Sequence, residues 1–195
     1  MNCILPYSIA NKNLPLVHKL PRFLDVEASS LSSKSYPIEV AWSDSTGHIH
    51  NYLINPYAVH EWTDWDYEAQ QLHGISRQQC REQGVHPRWL CNKLDQSITY
   101  TETIYADGGP IDQDWIDVLF QAGSRRGVSA FKVVHSDAIM LPILSQVESD
   151  PKRRGELYDQ LKYEARQKTP GHHRATFDVQ YLIELFLLCR NYAAG

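Results

Sequence analysis

The sequence predicts an α/β fold: a mixed five-stranded sheet with helices on both faces. Three observations lead there. Residues 22–54 hold three short alternating segments separated only by brief polar turns, which implies an antiparallel meander. Two later strand-like segments, residues 101–106 and 129–134, alternate with helical ones. The 195 residues, 43% hydrophobic and 22% charged, are enough for one domain with a substantial core.

Residues 1–20, with Pro6 and Pro15, show no period and read as an N-terminal extension. The first strand covers residues 22–27. Serine-rich residues 28–35 form a turn. Ile38, Val40 and Trp42 then alternate with Glu39, Ala41 and Ser43 in a second strand. Asp44 to Gly47 turns the chain into a third strand over residues 48–54. The tract 56–67 is aromatic and acidic. Its Trp62 and Trp65 read as packing residues, with base stacking the alternative. Three short helices follow: 67–72 stopped by Gly74, 76–82 capped by Ser76 and ended by Gly84, and 87–94.

The fourth strand, 101–106, is broken by Gly108-Gly109-Pro110. A helix begins near Asp112, and Trp115, Ile116, Leu119 and Phe120 fall on one stripe of it. Beyond the fifth strand, residues 138–147 and 155–167 are helical, the second densely charged and expected to be exposed. Thr169-Pro170-Gly171 breaks the chain before a last helix over 175–191. There is no repeat, low-complexity tract or linker, so residues 21–195 read as one domain.

The formal net charge of −4 argues against a protein that coats nucleic acid with a broad basic surface. It leaves room for an enzyme that grips a strand end locally, because bound cations would cancel acids at a site. Arg125-Arg126 and Lys152-Arg153-Arg154 read as solvated charge, with phosphate contact the alternative. Cys3, Cys80, Cys91 and Cys189 lie far apart and read as reduced thiols. The N-terminus does not read as a signal peptide, and the apolar run 182–188 is too short to span a membrane. A cytoplasmic location is expected.

The chemistry centres on Arg22-Phe23-Leu24-Asp25-Val26-Glu27. Alternation puts Asp25 and Glu27 on one face of the strand and Leu24 and Val26 on the other. Two acids side by side repel and lose hydration, and a divalent cation with oxygen ligands would offset that cost. The same pattern in Asp66-Tyr67-Glu68 lies in a polar stretch and reads as solvated surface. Asp178 precedes Tyr181, Leu182, Leu185 and Phe186 at helical spacing, so it shares their buried stripe. It requires either metal ligation or a salt bridge, for instance to arginine. Asp112, taken alone, reads as a helix N-cap. His173 stands in the loop before Asp178, placed to act as a general base; His172 is an alternative of the same type.

Asp25-x-Glu27, Asp112 in Ile-Asp-x-x-Trp-Ile, and His173-x-x-x-x-Asp178 together resemble the motifs of the DEDDh 3′–5′ exonucleases, a family that includes ribonuclease T and polymerase proofreading subunits. Leu72-His73-Gly74-Ile75-Ser76 also resembles a family segment. The resemblance covers residues 22–190. It implies a ribonuclease H-like fold, two divalent ions, Mg²⁺ or Mn²⁺, and a single-stranded RNA or DNA 3′ end as substrate. By resemblance Asp25, Glu27 and Asp178 would ligate one ion, Asp25 would bridge to the second, and Asp112 would hold that second ion, with Asp107 its rival. His173 would take a proton from the attacking water. Ala28, Ser29 and His73 would touch the terminal nucleotide, although Ala28-Ser29-Ser30 replaces the Thr-Thr-Gly of many relatives. Some relatives are dimers, so a homodimer is among the implied assemblies. A non-catalytic nucleic-acid-binding or regulatory subunit with the same fold is the alternative reading, and an endonuclease is disfavoured by His173.

Overall fold

In the computed structural model residues 19–100, 102–169, 171 and 173–195 are described, so Thr101, Pro170, His172 and the expected extension up to residue 18 lie outside it. Strands β1 (Leu24–Ala28), β2 (Pro37–Ser43) and β3 (Ile49–Leu53) form an antiparallel sheet in the order β1-β2-β3. Strands β4 (Thr103–Ala106) and β5 (Lys132–His135) form a parallel pair. Among the described residues a single parallel bridge, Phe23 to Tyr105, joins the two sheets. The expected five strands are therefore present as sheets of three and two strands.

The meander follows from its turns. Asp44 Oδ1 accepts from the backbone N–H groups of Thr46 and His48, and Gly47 takes φ 86°, a value that costs glycine nothing. Every residue of β2 is buried, including Glu39, Ala41 and Ser43. The expected alternation of inner and outer positions is corrected here: β2 is a central strand covered on both faces.

One face of the sheet packs against α3 (Pro87–Ser97) and α4 (Pro110–Gly123), burying Trp42, Leu90, Leu94, Leu119 and Phe120. The other is covered by α7 (Ala175–Ala194), which brings Val179, Leu182 and Leu185 against Phe23 and Ala41. Helices α5 (Asp137–Leu144) and α6 (Pro151–Lys168) pack on α7. The charged α6 is not wholly exposed: Tyr158, Leu161 and Ala165 are buried. Helices α1 (Tyr67–His73) and α2 (Arg77–Gln83) follow a short 3-10 turn and end at Gly74 and Gly84 as the sequence indicated. Trp62 is core, stacked on Tyr36 with ring centroids 5.0 Å apart. Among the described residues no helix is long and apolar enough to cross a membrane. Cys80, Cys91 and Cys189 are buried free thiols.

Candidate active site

The register of β1 on β2 pairs Asp25 with Ala41 and Glu27 with Glu39, so both acids of β1 face α7. The first turns of α7 deliver Asp178 to the same place. One carboxylate oxygen each from Asp25, Glu27 and Asp178 lies within 4.8 Å of the others, close enough to share an ion. Asp178 also pairs with Arg166 of α6, whose Nη1 donates to Oδ1 at 2.7 Å while the guanidinium lies 3.6 Å over the Tyr181 ring. Of the two readings of Asp178, the arginine salt bridge is present, and the same carboxylate stands in a group of acids that could hold an ion.

Asp112 sits in the first turn of α4 and is 2% exposed. The helix-cap reading is corrected: the cap position is Gly109, and Asp112 is turned inward beside Asp25. Its Oδ2 is buried without a hydrogen-bond partner. Asp107 accepts from Ser136 Oγ at 3.4 Å, and its charge also raises the proton affinity of Asp112. A methyl group at Gly108 would stand 2.6 Å from Asp112 Oδ2, so this glycine makes room for the carboxylate. The φ of Gly108 is not in the left-handed region, which isolates the contact as the reason. Gly108→Ala is expected to cost about 1–3 kcal/mol by overpacking, read by denaturant unfolding. Parental stability in that variant would show that Asp112 has room to retreat.

Crowding and burial raise the proton affinity of Asp25, Glu27 and Asp112. Loss of hydration pushes Asp25 well above the usual carboxylate range, and the charges of Asp112, Asp178, Glu27 and Glu39 add to it. Burial, then Glu39 and Asp178, lift Glu27 to about 8, with the Arg174 cation pulling the other way. Burial raises Asp112 to about 7, partly offset by the backbone amides of Val26, Gly108 and Gly109. Carboxylates so placed, with an orphaned oxygen on Asp112, suit divalent cations.

His173 has φ 54°, an uncommon left-handed conformation for a non-glycine residue. It lies in the loop between α6 and α7, as the proline–glycine break implied, and its charge is felt at His73. His172, its alternative, is outside the described residues.

Beside the acids opens a cleft of about 310 Å³, lined by Glu27, Ala28, Ser30, Leu72, His73 and Trp115 among others. His73 Nδ1 accepts from the Ile75 N–H at 3.0 Å, which places the remaining ring proton on Nε2. That Nε2 is buried and unpartnered. His73 thus lines the cleft, while the cap of α1 is Gly74, whose N–H donates to the Gln70 carbonyl, and not His73. Ala28 lines the cleft, but Ser29 is turned inward, its Oγ accepting from the Tyr36 N–H at 3.2 Å. Asp66 and Glu68, expected to be plain surface, stand on the cleft rim, with Asp66 capping α1. Arg126 Nη2 donates to both carboxylate oxygens of Asp95 at 2.9 Å.

Two residues were not singled out from the sequence. Glu39 is 0% exposed and lies directly across from Glu27. Arg174 reaches it from the start of α7, with Nε to Oε2 at 3.0 Å and Nη2 to Oε1 at 2.7 Å. An acid at an alternate position beside Asp25 and Glu27 in a neighbouring strand was the available signal.

Known structures share this architecture. The zinc-bound complex of E. coli exonuclease I with single-stranded DNA superposes with a TM-score of 0.61 at 16% identity, over 88% of this chain and 40% of that one. The fold is that of exonuclease I. A second exonuclease I structure, described for its processivity, gives 0.61 at 16% identity over 88% and 41% of the two chains. The product-bound exonuclease I structure gives 0.55 at 14% identity over 87% and 43%. The chain thus spans about two fifths of the exonuclease I chains it matches. No protein-family model and no curated protein matches the sequence.

Proposed function

We propose that this chain is a metal-dependent 3′–5′ exonuclease of the DEDDh type, with a ribonuclease H-like fold whose two sheets act as one five-stranded platform. It hydrolyses the terminal phosphodiester of single-stranded RNA or DNA and releases nucleoside 5′-monophosphates. The observation that carries the reading is the convergence of Asp25, Glu27 and Asp178 within 4.8 Å, with Glu27 also lining a cleft of about 310 Å³. The exonuclease I fold supports it.

Asp25, Glu27 and Asp178 would hold one Mg²⁺ or Mn²⁺, and Asp25 with Asp112 a second. Such a pair, when bound, makes water acidic and stabilises the leaving oxygen. The chain's own groups do the rest. His173 accepts the proton of the water that attacks the terminal phosphorus. The phosphorus–3′-oxygen bond breaks, and the leaving oxygen takes a proton from solvent to give a 3′-hydroxyl on the shortened strand. His73 donates its free Nε2 proton to the terminal nucleotide, Ala28 lies against its sugar, and Leu72 and Trp115 flank its base. The Arg166 cation steadies Asp178.

The test uses matched RNA and DNA oligonucleotides, 3′- or 5′-labelled, with and without Mg²⁺ or Mn²⁺, and a circular substrate. Metal-dependent mononucleotide release from the 3′ end, with the circle intact, is expected. Intact 3′ ends in Mn²⁺ overturn the reading. Binding without cleavage would identify the alternative, a non-catalytic nucleic-acid-binding subunit.

A further inference from the structure

We propose that Glu39 and Arg174 are positioning residues for this reaction: together they pin the loop that carries His173 and the first turn of α7 to the strand next to β1. The inference rests on the exonuclease reading and extends it to two residues outside the acid set.

The geometry is unusually complete for one carboxylate. Glu39 takes both bonds of the Arg174 fork, a third from the Ala175 backbone N–H at 3.1 Å, and a fourth from Asn51 Nδ2 at 2.9 Å. A fully buried acid is thereby paired and saturated. Nothing is left over for an ion, so Glu39 is not a further metal ligand. The Arg174 carbonyl accepts from the N–H groups of Phe177 at 2.8 Å and Asp178 at 3.2 Å. One residue therefore links the β2 carboxylate to the backbone that aims Asp178.

On the other side of Arg174 stands His173, at φ 54°. A non-glycine residue keeps such a conformation only when its surroundings over-determine it. Two clamps do so. The Arg174 side chain is tied to Glu39, and Gly171, at φ 93°, lies so close to the Phe177 ring that a methyl group there would stand 2.5 Å from Cδ2. Since Glu39 pairs in register with Glu27, the same carboxylate references the loop to the strand that bears the metal ligands. A displacement of about 1 Å in a catalytic group is enough to cost about 100-fold in rate.

The test compares the parent with Arg174→Lys, which keeps the charge but loses the fork, and with Glu39→Gln. Each is made alone and in the His173→Ala background. Kinetics on a 5′-labelled oligonucleotide in Mn²⁺ are read beside amide hydrogen exchange over residues 173–178. In either single variant kcat is expected to fall about 10- to 100-fold with KM within about 3-fold, and exchange over 173–178 to quicken. In the His173→Ala background the same change should cost clearly less than in the parent, because part of the clamp's effect passes through the histidine and the rest through Asp178. A loss that multiplies in full in that background, or exchange that does not change, overturns the proposal. Should Glu39→Gln not fold, Arg174→Lys decides. A parent that hydrolyses nothing would sink the exonuclease reading separately, and the exchange comparison would then settle the pinning by itself.

Discussion

Asp25→Asn is expected to abolish 3′-end hydrolysis and, in chelator, to leave the protein more stable than its parent. Asp25 is the acid that the other carboxylates bear upon most heavily, since Asp112, Asp178, Glu27 and Glu39 all oppose its ionisation. The amide keeps the shape and removes the charge. Each kcal/mol of repulsion relieved should raise the melting midpoint by about 2–4 °C in a chain of this size. Activity should fall by at least about 10³-fold, the scale seen when a central catalytic group is lost. Asp178→Asn should be equally inactive but should bring no such gain, because it reduces the ion pair with Arg166 at 2.7 Å to a neutral hydrogen bond. Calorimetry on the two variants in chelator, beside the oligonucleotide assay, makes the comparison. Equal melting shifts would show that repulsion around Asp25 is not what distinguishes them.

The second large effect is a dependence of stability on pH that divalent ions reverse. In chelator, stability is expected to decrease as the pH rises. Glu27 and Asp112 bind their protons more tightly folded than unfolded, with folded values of about 8 and about 7. The folded state therefore carries the extra protons, and its stability declines between the ordinary carboxylate range and pH 8, by at most about 1.4 kcal/mol per pH unit for each such group. The interval from 6.5 to 8 is the clean one. Below it the lowered proton affinities of His50, His73 and Asp44 act in the opposite sense, removing stability as the pH falls. Above it the thiols and tyrosines begin to titrate in the unfolded chain. Mn²⁺ or Mg²⁺ should stabilise most at the alkaline end, by mass action on the ionised cluster. The check is thermal unfolding at pH 6.5, 7.2 and 8.0, with chelator and with metal. A midpoint that rises with pH in chelator would contradict the charge arrangement described above.

Much of this site was legible in the sequence because its residues sit at element boundaries with strong local signatures. Asp25 and Glu27 alternate with buried Leu24 and Val26. Asp178 belongs to a helical stripe, and the proline–glycine break placed His173 in a loop. Asp112 was legible as an acid at a helix start, but its inward turn was not, because that depends on Gly108 making space from outside the helix. Glu39 was missed for a different reason. An acid alternating with Ile38 and Val40 looks like the solvated side of a half-buried strand, and only the docking of α7 seals that side. The partner that makes its burial tolerable, Arg174, lies 135 residues further on. The fold followed the sequence in element order, and the parts that did not follow are tertiary: the count of strands within one continuous ladder, and the buried half of α6.

The single bridge between Phe23 and Tyr105 has a mechanical meaning. It is a seam, crossed by one backbone pairing where the other strand boundaries carry whole ladders. The acids are divided across it: Asp25 and Glu27 ride on the three-stranded side, while Asp112 follows β4 on the other. An ion held jointly by Asp25 and Asp112 would act as a rivet through that seam, adding to the Phe23–Tyr105 bridge and to the bond from the Val26 amide to Asp112.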